Sequence, residues 1–247
     1  MAFAFVASQT GITAYGPFKT VSTASTLNVA TGDVIGVYGI WNEAASGGAT
    51  ISDSGSNSCT MEAEINYSGS CYITFGYILS AVANATATFK LTTTNNVFLL
   101  RIIALQFRPD AGDTITKDQN QASGTGWGTA LLTGNISTTG DDEVTTCGLS
   151  LNYGSNPTAE QIGDTAADGV IDSGTDGASA WYRILSATAA NIHGQAALGG
   201  SVDWAILLNS FKATAAAGGG TTTGRASSST SRRRNVSKRT GSGIIIL

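Results

Sequence analysis

Val34-Ile35-Gly36-Val37-Tyr38-Gly39-Ile40-Trp41 is the run that decides the fold class. It holds no charged or amide side chain and is rich in β-branched and aromatic residues, the composition of a central strand covered on both faces. Val97 to Phe107 and Val202 to Phe211 have the same character, with scattered polar residues such as Arg101, Gln106 and Asp203. Outside these runs the pattern becomes alternating. Apolar and polar residues take turns through Ala87-Thr88-Phe89-Lys90-Leu91-Thr92, and Cys147, Leu149, Leu151 and Tyr153 are separated by Gly148, Ser150 and Asn152, which predicts half-buried strands. Clusters such as Ala45-Ser46-Gly47-Gly48 and Asp53-Ser54-Gly55-Ser56-Asn57 supply the turns. The alanine-rich stretches 187–198 and 213–217 are interrupted by Thr188, Asn191 and Gly194 and ended by Gly218 to Gly220, so little helix is expected. The reading is an all-β protein, a β-sandwich or jelly roll.

The chain also echoes itself. Tyr77-Ile78-Leu79-Ser80-Ala81 matches Arg183-Ile184-Leu185-Ser186-Ala187, and Ala104 to Phe107 matches Leu208 to Phe211. Asn28-Val29 before Gly32-Asp33-Val34 is answered by Asn135-Ile136 before Gly140-Asp141-Asp142 and Val144. Two related halves are therefore expected in a body spanning 1–212, about 1–109 and 110–212, with Pro109 ending the last strand of the first.

Composition narrows the class. The 247 residues are 12% charged and 42% hydrophobic, with 31 Gly and a mean hydropathy of +0.09. That is enough apolar material for a real core and the wrong balance for a collagen, a coiled coil or a nucleic-acid-binding domain. The formal charge of −4 combines +6 on residues 213–247 with −10 on residues 1–212. An acidic body repels phosphate backbones, whereas the basic run Arg232, Arg233, Arg234, Lys238 and Arg239 suits an acidic protein surface. From 213 onward the Gly-, Ser- and Arg-rich composition reads as a C-terminal arm that does not fold alone. It ends in the apolar tip Ile244, Ile245, Ile246 and Leu247, which reads as a docking segment. The start of the chain lacks the basic flank and h-region of a secretory signal, and no apolar run approaches the roughly 18 residues of a membrane helix. A soluble product made in the cytoplasm is expected.

Chemistry is sparse. His193 is the sole histidine, no G-x-S-x-G occurs, and Cys59, Cys71 and Cys147 form no C-x-x-C, so neither a catalytic triad nor a zinc site is expected. Free buried thiols are the simplest reading of the cysteines, with a Cys59–Cys71 bridge across a turn at Asn66 to Gly69 as the alternative. Asp164, Asp168, Asp172 and Asp176 recur every fourth residue, but without the spacing of a calcium loop, and read as solvated turns. Gly124-Thr125-Gly126-Trp127-Gly128 and Gly218 to Gly224 lack the Lys-Ser/Thr of a phosphate cradle and read as turns. No cofactor is implied. Trp41, Trp181 and Trp204 sit in apolar strand patterns and are assigned to the core; Trp127, among glycines, is the candidate contact residue for a sugar ring or a partner protein.

The start Met-Ala-Phe-Ala-Phe-Val, then Gly32-Asp33-Val34-Ile35 with Trp41, Ile51-Ser52-Asp53-Ser54-Gly55 with Asn57, Tyr77 with Ala81, and Val202-Asp203-Trp204-Ala205 leading to Phe211-Lys212 resembles β-sandwich structural proteins of tailed-bacteriophage virions. The resemblance spans about residues 1–212. It implies a non-catalytic decoration, fibre or adhesin role in a virus particle assembled in the host cytoplasm, with copies of the chain and other virion proteins as partners. The first expectation is a capsid decoration protein clamped by its arm. The second is a carbohydrate-binding fibre or adhesin module contacting a host glycan through Trp127.

Overall fold

The apolar runs become the middle strands of two sheets. The computed structural model describes residues 3–13, 15–42, 48–55, 57–152, 156–172 and 177–215, and these form strands without a helix. The first half contains β1 (Phe3–Ile12), β2 (Phe18–Ser22), β3 (Leu27–Val29), β4 (Val34–Asn42), β5 (Thr50–Asp53), β6 (Thr60–Met61), β7 (Ile65–Tyr67), β8 (Cys71–Ile78), β9 (Asn84–Ala87), β10 (Phe89–Val97) and β11 (Leu99–Pro109). The second contains β12 (Thr114–Lys117), β13 (Ala122–Leu132), β14 (Glu143–Leu151), β15 (Thr158–Ile162), β16 (Thr165–Ala166), β17 (Gly169–Asp172), β18 (Ala178–Leu185) and β19 (Gly194–Thr214).

Each half is a sandwich with jelly-roll connections. In the first, the large sheet runs β1-β11-β4-β8-β6, with β7 also on β8, and a small sheet runs β2-β10-β5. The second repeats this order as β13-β19-β14-β18-β17, with β12 also on β19. Its small sheet is made of the far end of β13, the first part of β19 and β15. Even the short β3–β9 pairing has its counterpart in the Ile136–Ile192 bridge. All ladders are antiparallel, and the strand that opens each half lies beside the strand that closes it.

Register makes the duplication quantitative. Val34 pairs with Phe107 as Val144 pairs with Phe211, so the echo of Phe107 in Phe211 is a true structural equivalence. Gly36 pairs with Tyr77 as Thr146 pairs with Tyr182, which equates Tyr77 with Tyr182. The sequence match of Tyr77 to Arg183 is therefore one residue out. A slip of one moves a side chain to the opposite face of its strand, so the identical letters there do not occupy identical environments.

The two large sheets pack face to face. A central core of Phe3, Val34, Tyr38, Phe75, Phe107, Val144, Tyr182, Leu207 and Phe211 joins the halves. Outside it, one core fills the first sandwich around Trp41, Ile51, Phe89 and Leu91, and another fills the second around Leu149, Trp181, Trp204 and Ile206. The order is small sheet, large sheet, large sheet, small sheet. β4 lies over β14 with the same polarity: Tyr38 Oη donates to Thr146 Oγ1 at 2.9 Å, and Asn42 at the end of β4 reaches the carbonyls of Leu151 and Asn152. Phe5 stacks on Tyr182 at 4.6 Å. The halves are thus related by an approximate twofold axis along the strands.

This layering corrects one expectation. β14 is buried at every position, although its alternation predicts a half-buried strand. Its small and polar residues face the first half, not water. β19 also continues to Thr214, two residues past the expected end of the body at 212.

Candidate functional site

Trp127 is the one predicted contact residue among the described residues. Arg232, Arg233, Arg234, Lys238, Arg239, Ile244, Ile245, Ile246 and Leu247 lie outside them. The other three tryptophans are buried at 2%, 0% and 8% exposure for Trp41, Trp181 and Trp204, whereas Trp127 is 67% exposed.

The glycines around Trp127 do not form the expected turn; they belong to β13. A Cβ on Gly124 would stand 1.9 Å from the Leu132 carbonyl oxygen, and one on Gly126 would stand 2.8 Å from the Trp204 ring. Neighbouring backbone and a core indole occupy the space of both side chains, so the inward positions of this strand must be glycine. Alternation then sends Trp127 to the other face of the sheet, on a hydrogen-bonded ladder that fixes its backbone.

On that face the cross-strand partner of Trp127 is Asp203. Side chains paired in this way leave a sheet together, about 5 Å apart at Cβ. Asp203 is held from both halves: its Oδ2 accepts from Ser70 Oγ at 2.8 Å and from Asn152 Nδ2 at 3.5 Å. Ser70 sits in the turn between β7 and β8, which Ser68 (φ 51°) and Gly69 (φ 74°) close, and its hydroxyl also contacts the Tyr67 carbonyl. Asn152 in turn receives Asn42 Nδ2 on its carbonyl at 2.8 Å. Among the described residues the side-chain oxygens of Asn42 and Asn152 are buried without a hydrogen-bond partner. The result is an exposed indole beside a fixed carboxylate and two amides, along the seam where the halves meet.

A second candidate lies at the opposite end of the strands. A cleft of about 740 Å³ is lined by Ala4, Leu79, Pro109, Ala111 and Ile115 on its apolar side, with Asp110 and Asp113 in the loop from β11 to β12. Asp33, buried at its inner wall, accepts from Ala30 N at 2.8 Å, Gln106 Nε2 at 2.5 Å and Arg108 Nε at 2.8 Å. Burial alone would raise the carboxyl pKa, but these donors, Arg108 first, outweigh it and hold it below the usual range. Among the described residues of the lining Arg108 is the only cation, against the carboxylates of Asp33, Asp110 and Asp113, so the lining is acidic. Thr114 in the lining pairs with Thr214, the last residue of β19, so the cleft adjoins the point from which residues 215–247 continue.

Glu143 occupies in the second half the place of Asp33 in the first, one residue before the equivalent valine. It accepts from the backbone N–H groups of Thr139 and Gly140. Gln106 is replaced there by Ser210 and Arg108 by Lys212, which turns to Asp118 (3.2 Å) and Thr139 (2.8 Å). Burial and then the nearby Asp118 carboxylate push Glu143 up to about 7, and its Oε2 has no partner among the described residues.

His193 Nε2 lies 3.3 Å from Asp164, and its Nδ1 3.2 Å from the Asn191 carbonyl. Asp168 accepts from the Ile184 N–H. Among the described residues no three His, Cys, Asp or Glu side chains converge as metal ligands. The cysteines are free, and the Cys59–Cys71 alternative fails on register: Cys71 pairs with Tyr67, whereas Cys59 lies against Gly76 near the other end of β8. Sequence reading missed Asp203, Ser70 and Asn152; the one available signal was the polar Asp203 directly before the core residue Trp204.

Compared with known proteins, the chain matches no family model, no curated protein and no solved structure.

Proposed function

We propose that this chain is a structural protein of a bacteriophage virion, a capsid decoration protein whose β-body packs as a rigid unit and whose C-terminal arm clamps a neighbouring copy. The virion setting rests on the sequence resemblance. The observation that carries the clamp is the acidic, apolar-walled cleft beside the end of β19: its carboxylates Asp110 and Asp113 complement Arg232 to Arg234, and its apolar wall suits Ile244 to Leu247. Three packed cores make the body stiff enough to act as a spacer.

The test compares full-length protein with a chain ending at Ala215 and with Asp110→Lys/Asp113→Lys. Light scattering after size exclusion is expected to show concentration-dependent self-association in the wild type only, with unchanged circular dichroism in all three. Equal association without the arm, or a strictly monomeric wild type, would overturn the proposal.

A further inference from the structure

We infer that the seam around Trp127 is a carbohydrate-binding site that takes a pyranose ring with one apolar C–H face. It adds a recognition function to the structural role above and does not depend on it. A pyranose offers a flat patch of C–H groups on one side and hydroxyls around its rim. Recognition therefore needs an exposed aromatic face, fixed acceptors at the height of the rim, and a backbone that does not move.

The seam supplies each. The Trp127 indole is 67% exposed, while its backbone is tied to β19 by a ladder that continues on both sides, from Ala122 to Gly128. An indole in this position loses little conformational freedom when a ligand stacks on it, because only two side-chain torsions remain to be fixed. Its cross-strand partner Asp203 keeps Oδ2 on Ser70 and Asn152, which orients the carboxylate and leaves Oδ1 to accept a ligand hydroxyl. Asn42 is 4% exposed, yet its side-chain oxygen has no partner among the described residues, as is also true of the Asn152 oxygen. The two amides act from beneath the surface: Asn152 Nδ2 reaches the Asp203 carboxylate and Asn42 Nδ2 donates to the Asn152 carbonyl, which fixes the height of the carboxylate beside the indole.

The pairing of an indole with a carboxylate and amides, rather than with arginine or lysine, favours a neutral or amino sugar over an anionic one. Both halves contribute: Asn42 and Ser70 come from the first, Trp127, Asn152 and Asp203 from the second. The site exists only because the sandwiches are packed together.

The experiment uses the full chain and its intrinsic fluorescence, titrated with chitohexaose, cellohexaose and maltohexaose after a first screen on an array of bacterial surface polysaccharides. Since the other tryptophans are buried, a saturable blue shift reports Trp127. At least one glycan is expected to bind, with Trp127→Ala weakening it tenfold or more, Asp203→Asn by several-fold, and Trp127→Phe keeping most of the affinity. Ser70→Ala, which frees the Asp203 carboxylate without touching the indole, is expected to weaken binding less than Asp203→Asn does. Thermal unfolding of each variant confirms the fold. The inference is overturned if no glycan on the array or in the titrations binds, if binding survives Trp127→Ala unchanged, or if Trp127 proves to contact only a protein partner.

Discussion

Glu143→Gln tests whether the duplicated acid at the foot of the second sandwich is held protonated. Glu143 is fully buried, receives two backbone N–H groups on Oε1, and has Asp118 as its neighbour. Burial raises its pKa from the ordinary 4.5 to about 7. The folded protein therefore binds more protons than the unfolded chain between these values, and folding stability falls as pH rises through that window. Below about pH 4.5 no penalty exists; above about pH 7 it is complete. A difference of roughly 2.5 pKa units corresponds to about 3 kcal/mol. A glutamine keeps the acceptor for Thr139 and Gly140, offers Asp118 an N–H donor, and never ionises. At pH 8 the variant is expected to gain up to about 3 kcal/mol, or roughly 6–12 °C in Tm for a body of this size. At pH 4.5 the two proteins should melt within about a degree or two of each other. Thermal unfolding followed by circular dichroism from pH 4.5 to 8.5 measures this. A Glu143→Gln profile parallel to the wild type, or a variant destabilised at pH 8, would refute a buried, proton-holding Glu143.

Asp33 should behave in the opposite sense: its stabilising contribution is present above about pH 4 and is lost as pH falls through its depressed pKa, so Asp33→Ala is expected to cost about 3 kcal/mol at pH 7, measured by urea unfolding, and progressively less toward pH 2. Gly148→Ala would place a Cβ 2.3 Å from Tyr38 Cδ1 in the central core, and is expected to destabilise by about 1–3 kcal/mol or to separate the packed sheets, read by urea unfolding and by hydrogen exchange at β4 and β14. Burial pushes the thiols of Cys59 and Cys71 up to about 12 and that of Cys147 well above its usual value, so a colorimetric thiol reagent at pH 8 should find all three slow in the native protein and fully reactive in denaturant.

What could be read from the residues follows a physical boundary. β4, β11 and the end of β19 were legible because complete burial demands continuous apolar sequence, whatever lies on either side. The number of layers was not. The face of β14 that meets the first half carries Thr146, Gly148 and Ser150, which look like solvent-facing residues. They are there because Tyr38 needs a hydroxyl partner and room for its ring. Gly126 misled for a related reason: the crowding that demands glycine there comes from Trp204, on a strand far away in sequence. Exposure of Trp127 could be foreseen, but not its companions, since Ser70 and Asp203 are 133 residues apart and only the packing of two sandwiches brings them together.

Duplication turns the molecule into its own control experiment. Positions that face the shared axis have kept their character: Phe107 and Phe211 are matched, as are Val34 and Val144, and Tyr77 and Tyr182. Where the halves differ, the difference has a consequence at one of the two ends. In the first half β1 stops at Ile12 and β2 starts at Phe18, whereas β13 in the second half runs through both sheets, with a register shift between Gly128 and Ala130 in place of the break. That continuity puts Trp127 on a ladder instead of in a loop. At the other end Gln106 supplies a long amide to Asp33, and the matching Ser210 is too short to reach Glu143, which leaves one carboxyl oxygen without a donor. The first half therefore holds, against the acidic cleft, an acid whose pKa is depressed, while the second holds one raised to about 7 and presents the aromatic platform. Exchanging the two traits, with Ser210→Gln to donate to Glu143, should lower the Glu143 pKa toward that of Asp33 and flatten the pH profile without altering the Trp127 seam. NMR titration of the Glu143 carboxyl in that variant would decide the matter, and an unchanged value near 7 would show that the missing amide is not the cause.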